Sequence, residues 1–258
     1  MENTVLEKFH QGRQSLGTFS AIGSPLAVES LRYTGLDYVI VDTEHSPVGI
    51  ESAAAQIAAA QGAGLTALAR ANEISRTAVL RLLDVGAQGV VVPCVETVEE
   101  VRELVRYAKF APLGNRGFCP TRDGGWGYAA HATSIPAYME TCNREALLLP
   151  QCETVGCLEH IDEIVALEGV DGIFVGPFDL SIALGYPGEF DAPAVREAIA
   201  RVQAACRRHG KLSMIFTGNA AASRQRFAEG FDSVTLSMDT LLYVEMYKNL
   251  VEDVWKQS

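Results

Sequence analysis

DYVIVDTEHS, residues 37 to 46, starts as an apolar run from Tyr38 to Val41 and then breaks into Asp42, Glu44 and His45. A run that is continuously apolar and β-branched, instead of alternating with polar residues, is how a strand covered on both faces reads. Seven further stretches share the form: SLGTFSAI near residue 18, LTALARA near 68, GVVVPCV near 91, ALLLPQCE near 149, DGIFVGP near 173, LSMIFTG near 214 and DSVTLSMD near 236. Between them lie helix-forming segments: SAAAQIAAAQ after Ser52, TVEEVRELVRYAKF with Thr97 and Glu100 spaced as a capping box, and APAVREAIARVQAACRRHG closed by Gly210. Eight strands alternating with helices, mostly about 22 to 27 residues per repeat, predict one closed (β/α)8 TIM barrel over residues 1–258 and disfavour an open doubly wound sheet.

Composition narrows the partners. With 258 residues and 48% hydrophobic content the chain can bury a large core, while 21 basic against 32 acidic residues give a net charge of −11. That charge disfavours nucleic acid and anionic membrane surfaces and favours a small-molecule partner. No stretch approaches the roughly 18 apolar residues of a membrane span, and MENTVLEKFHQGRQ lacks the apolar core of a signal peptide. Six cysteines without a C-x-x-C pair read as reduced thiols, which places the protein in the cytoplasm.

Active sites of such barrels lie at the C-terminal ends of the strands, so the last residues of each run carry the chemistry. Strand two ends in Asp42, Glu44 and His45, strand three in Arg70, strand five in Gln151 and Glu153, and strand six in Gly176 and Pro177 followed by Asp179. Glu153 and Asp179, aimed at one mouth, would repel each other unless a hard divalent cation such as Mg²⁺ or Mn²⁺ sat between them; the alternative is that each caps the helix that follows it. Arg70 would need an anionic partner, either a substrate carboxylate or enolate, or an ion pair with Asp42 or Glu73 that braces the barrel. His45 reads as a general base oriented by Asp42 and Glu44. His10, His131, His160 and His209 read as ordinary surface residues. The long interval after strand four, about 58 residues, holds PLGNRGFCPTRDGGWGYAA with Arg116, Arg122 and Trp126, and reads as a functional loop over the barrel mouth.

No lysine falls at a C-terminal strand end: Lys8, Lys109, Lys248 and Lys256 lie on helices or termini, and Lys211 precedes strand seven. That removes Schiff-base chemistry and leaves metal and arginine to stabilise charge at a carbonyl. There is also no G-x-S-x-G elbow, P-loop or strand-linked G-x-G-x-x-G.

The segments DYVIVDTEH, LARAN, LLDVGAQGVVVPCVET, GNRG, LLPQCET and GVDGIFVGPFDLSIALG together resemble the metal-dependent class II pyruvate aldolases, the 4-hydroxy-2-oxoheptanedioate and 2-keto-3-deoxyglucarate aldolase family related to the citrate lyase β-subunit group. The resemblance covers nearly the whole chain and implies a barrel of the phosphoenolpyruvate/pyruvate-binding type. It implies Glu153 and Asp179 as ligands of Mg²⁺, Mn²⁺ or Co²⁺, Arg70 on the enolate oxygen, and His45 paired with Asp42 as proton shuttle. Gln151, Gly176 and Pro177 would line the pyruvate pocket, and Asp84 would reach the site of a neighbouring subunit. A trimer or hexamer is implied, with LLYVEMYKNLVEDVWKQ exchanged between barrels. The implied reaction is reversible aldol cleavage of a 4-hydroxy-2-oxo acid to pyruvate and an aldehyde. Citrate-type synthesis, oxaloacetate decarboxylation and a non-catalytic oxo-acid-binding barrel are the competing readings. Ser46-Pro47 and FCPTRDGGWGY depart from the family pattern and are expected to bear on the acceptor.

Overall fold

The computed structural model describes residues 3–256. Its eight strands are β1 (Ser15–Ser20), β2 (Tyr38–Asp42), β3 (Thr66–Arg70), β4 (Gly89–Val92), β5 (Leu147–Cys152), β6 (Gly172–Val175), β7 (Leu212–Thr217) and β8 (Ser233–Met238). All neighbours are parallel, and β1 closes the barrel on β8. Each of the eight apolar runs is therefore a strand. Thr97 and Glu100 form the expected reciprocal cap on the helix Val98–Ala108, with Glu100 N–H donating to Thr97 Oγ1 at 3.2 Å and Thr97 N–H to Glu100 Oε2 at 2.8 Å. Gly210, at φ 63°, ends the helix Pro193–His209 in the left-handed region that glycine adopts without penalty.

Strand parity separates two cores. Val39, Val41, Ala67, Ala69, Val90 and Ile173 face outward into the helix layer. Their neighbours Tyr38, Ile40, Leu68, Val91, Leu149 and Phe174 fill the barrel interior. Gly17 makes room there, because a Cβ would lie 2.3 Å from the Tyr38 ring. The Tyr38 hydroxyl is satisfied by Thr235 at 2.8 Å and Ser233 at 3.1 Å. Burial pushes that phenol well above its usual value, so it stays neutral.

At the opposite end of the barrel from the mouth, Lys109 is buried (1% exposed) with its ammonium donating to Asp171 Oδ2 at 2.7 Å and to the carbonyls of Ala146 and Asn143 at 2.6 and 3.1 Å. Replacing one partner of such a pair strands the other, so Lys109→Met is expected to lower stability by about 3–5 kcal/mol. Chemical denaturation should show this as a lower midpoint with an unchanged slope.

The segment expected over the mouth lies at that opposite end too. β4 leads almost directly into the helix Val98–Ala108, and the extra residues come after that helix, where the chain has already returned to the N-terminal ends of the strands. Arg122 confirms the placement: it donates to Gln61 Oε1 at 2.7 Å and to the Val85 carbonyl at 3.1 Å, at the C-terminal ends of the helices Ile50–Gly62 and Arg76–Asp84. His131 is also not an ordinary surface residue. It is half-buried, stacks on Tyr138 with centroids 6.2 Å apart, and its Nε2 lies 3.0 Å from the Asp123 carbonyl.

The last helix, Asp239–Trp255, starts at the barrel rim, where the Asp239 carboxylate accepts from the N–H groups of Ala21 and Ile22 and from the Ser20 hydroxyl. From Leu241 onward every described residue is exposed, including Tyr243, Tyr247, Leu250 and Trp255. Among the described residues no helix is long and apolar enough to cross a membrane.

Candidate active site

Parity also builds the site. Asp42 is in phase with Tyr38 and Ile40, Arg70 with Leu68, and Gln151 with Leu147 and Leu149, so each continues an inward-facing row at the open end of its strand. Glu153, one step beyond β5, and Gly176, one step beyond β6, keep that phase. The mouth holds a cavity of about 290 Å³ lined by His45, Arg70, Gln151, Gly176, Pro177 and Asp179 among others. Six of the nine expected site residues thus share one wall. Glu153 lies just behind it, 5% exposed, and Asp42 lies behind Arg70, fully buried.

Register decides the partner of Asp42. β2 and β3 pair with Asp42 opposite Arg70, and the guanidinium grips that carboxylate at both oxygens, Nε to Oδ1 at 2.9 Å and Nη2 to Oδ2 at 2.7 Å. Arg70 Nη1 meets Glu44 Oε2 at 3.2 Å, and its Cζ lies 4.7 Å from the centre of the Phe19 ring. Burial opposes the charge on Arg70, but the bond and charge of Asp42, then Glu44 and Glu153, outweigh it and hold the guanidinium above its usual value. The expected Asp42–His45 pair is therefore replaced by Asp42–Arg70. His45 lies in the turn beyond the strand, where its Nε2 is 3.6 Å from Glu44 Oε2. Glu44, not Asp42, is the carboxylate that faces the imidazole, and burial raises that carboxyl despite the opposing charges of Arg70 and His45.

Glu153 is held from two sides. The Cys94 N–H donates to Oε1 at 2.7 Å, and the Gln151 amide nitrogen donates to Oε2. Cys94 presents that N–H from a left-handed conformation, φ 57°. Burial pushes the Glu153 carboxyl up, and the charge of Asp179 adds to this against the two hydrogen bonds. Neither Glu153 nor Asp179 serves as the cap of the following helix: Thr154 caps Val155–Glu159, and Gly176 occupies the cap position of Pro177–Ala183. Gly176 is required by close approach, since a Cβ there would lie 2.7 Å from Glu153 Oε2 and 2.9 Å from Gln151 Nε2.

The donor set fits a divalent cation. Asp42, Glu44 and Glu153 act on a single guanidinium, Asp179 adds its charge beside Glu153, and the buried acceptor Gln151 Oε1 has no hydrogen-bond partner. A cation beside Glu153 and Asp179 would relieve both the repulsion and the unpaired Gln151 oxygen. Among the described residues no three His, Cys, Asp or Glu side chains converge as a closed metal cage. Two carboxylates instead leave positions open for substrate, as Mg²⁺ sites commonly do.

Asp84 is not at this mouth. It ends the helix Arg76–Asp84 on the opposite side, where Arg116 Nη2 donates to Asp84 Oδ1 and Asp123 Oδ2, both at 2.8 Å. The reading of strand ends missed Cys94, whose contribution is a backbone N–H, and the apolar side of the cavity formed by Phe19, Phe216, Met238 and Leu241. Phe216, next to the end of β7, and Met238, which closes β8, were legible once strand ends were being read for chemistry.

Fold and mouth together mark a (β/α)8 barrel whose site lies at the C-terminal ends of its strands. The chain belongs to the HpcH/HpaI aldolase/citrate lyase family, whose model matches residues 15–245. It is 34% identical over 216 residues to a hydroxypyruvate/pyruvate aldolase of Roseovarius nubinhibens, covering 82% of each chain. It is 31% identical over 251 residues to a 2-keto-3-deoxy-L-rhamnonate aldolase of Salmonella paratyphi A, covering 96% of this chain and 92% of that one. An HpcH/HpaI aldolase structure from Desulfitobacterium hafniense superposes with a TM-score of 0.90 at 31% identity, covering 98% of this chain and 96% of that one.

Proposed function

We propose that this protein catalyses reversible aldol cleavage of a 4-hydroxy-2-oxo acid to pyruvate and an aldehyde. The observation that carries the reading is the convergence of Arg70, Gln151 and Asp179 on one cavity at the open end of the barrel, with Glu153 directly behind its wall beside Gln151 and Gly176. Glu153 and Asp179 would hold Mg²⁺, Mn²⁺ or Co²⁺. When bound, the cation supplies Lewis-acid polarisation of the 2-oxo group. Cleavage breaks C3–C4: the bonding pair passes into the C2–C3 enolate, the C4 hydroxyl gives up its proton to leave as aldehyde, and C3 takes a proton to become the pyruvate methyl group.

Arg70 is suited to the charge that develops on the enolate oxygen. Of its five N–H donors, three are engaged by Asp42 and Glu44, and Asp42 fixes the plane of the fork. His45 with Glu44 is suited to take the C4 hydroxyl proton and to return it in the synthetic direction. Gln151 steadies Glu153 through its amide nitrogen and offers Oε1 to a bound donor.

The exposed apolar helix Asp239–Trp255 supports a homo-oligomer, trimer or hexamer, in which a second copy of the chain covers that helix. Asp84 and the segment around Arg116 would then serve a neighbouring mouth. Six unpaired thiols support a reducing compartment, the cytoplasm, and we read residues 1–258 as one catalytic unit.

The discriminating assay sets aldehyde release from a 4-hydroxy-2-oxo acid beside pyruvate formation from oxaloacetate. Aldol cleavage is expected to have the higher kcat/KM. Decarboxylation without any aldehyde release would overturn the reading in favour of a decarboxylase on the same scaffold.

A further inference from the structure

Past Arg70 and Asp179 the cavity wall changes character. Phe178 follows Pro177, Phe216 is the last residue but one of β7, Met238 closes β8, and Leu241 stands in the first turn of the last helix. The rings form a chain: Phe216 lies 6.0 Å from Phe19 and 5.8 Å from Phe178, between centroids. Phe178 is 47% exposed, so a large apolar ring stands wet at the opening, a surface that an apolar group would desolvate on binding. The electrostatics point the same way. Among the described residues lining the cavity, Arg70 is the one Arg or Lys, and Asp42 and Glu44 already engage it. Once the reacting carboxylate end is seated, no further Arg or Lys among the described lining residues is left to pair an anionic tail, which would be desolvated against apolar side chains.

We propose that this half of the cavity selects aldehydes carrying an uncharged, apolar substituent, aliphatic or aromatic, with Phe178 and Phe216 as the specificity-determining residues. The proposal rests on the aldol reading above and names the acceptor class for the same site. Each methylene transferred from water to such a wall is worth about fourfold in binding, more where the fit is close. Two methylenes therefore carry about tenfold or more.

The test measures kcat/KM in the synthetic direction, at saturating pyruvate and Mg²⁺, for ethanal, butanal, benzaldehyde and 4-oxobutanoate. The last has the backbone of butanal with a carboxylate in place of its methyl group. Butanal is expected to exceed ethanal by about tenfold or more, and 4-oxobutanoate by at least as much. In separate Phe216→Ser and Phe178→Ser variants the butanal-to-ethanal ratio should fall toward one, and Phe178, half-exposed at the rim, keeps the test alive if Phe216→Ser does not fold. Because the readout is a ratio, the fraction of folded protein cancels. Pyruvate C3 proton exchange without aldehyde separates the two possible failures. Exchange together with a flat or anion-favouring profile, or a ratio unchanged in the variants, overturns the acceptor proposal alone. Absence of exchange in the unmodified protein overturns the aldol reading and the acceptor proposal with it.

Discussion

Glu153→Gln is expected to lower kcat/KM for aldol cleavage about a thousandfold while leaving the barrel folded. The substitution preserves shape and can preserve both hydrogen bonds: the new amide oxygen can accept from the Cys94 N–H, and the Gln151 amide can turn its unpartnered Oε1 toward the new donor. What it removes is one of two carboxylates beside a developing enolate. If the cation those carboxylates hold supplies about 4 kcal/mol of transition-state stabilisation, its loss corresponds to about three powers of ten in rate. Turnover is read by pyruvate release and folding by thermal unfolding. A variant that keeps its melting temperature and works within tenfold of the parent would remove Glu153 from the mechanism.

Arg70→Lys carries the second large effect, and here activity and stability should fall together. Register sets Asp42 against Arg70, and the planar fork meets both oxygens of a fully buried carboxylate while Nη1 reaches Glu44. A lysine has one ammonium and cannot span three such points. The enolate oxygen then loses a fixed donor, which is worth about a hundredfold to a thousandfold in kcat. Asp42 is left imperfectly paired, lowering stability by about 3 kcal/mol. The split between kcat and KM is informative: a rise in KM with kcat intact would mean that Arg70 only binds the ground state.

The eight strands were legible because a barrel strand is dry on both faces, and runs such as YVIV and GVVV allow little else. Strand-end polarity located the mouth for the same reason: Arg70 and Gln151 interrupt apolar runs that have no solvent-facing side. Partnerships were legible only as alternatives. The residues left Asp42 open to His45 or to Arg70, and the family resemblance favoured His45, whereas strand register joins Asp42 to Arg70, 28 positions away, and leaves Glu44 to face the imidazole. The segment after Gly114 was assigned to the wrong end of the barrel because its composition, rich in Gly and aromatics, says nothing of position. The order strand, helix, insertion does: residues inserted after the helix return at the N-terminal ends of the strands. The hold of Cys94 on Glu153 is made by a backbone N–H and leaves no mark in side-chain identity.

Exchange of the pyruvate C3 protons with solvent, followed by NMR without any aldehyde present, tests most directly whether this mouth forms an enolate with help from a divalent cation. Protein stripped by a chelator should lose exchange, and Mg²⁺ or Mn²⁺ should restore it, with Glu153→Gln unresponsive to either ion. Full exchange in metal-free protein would contradict the account.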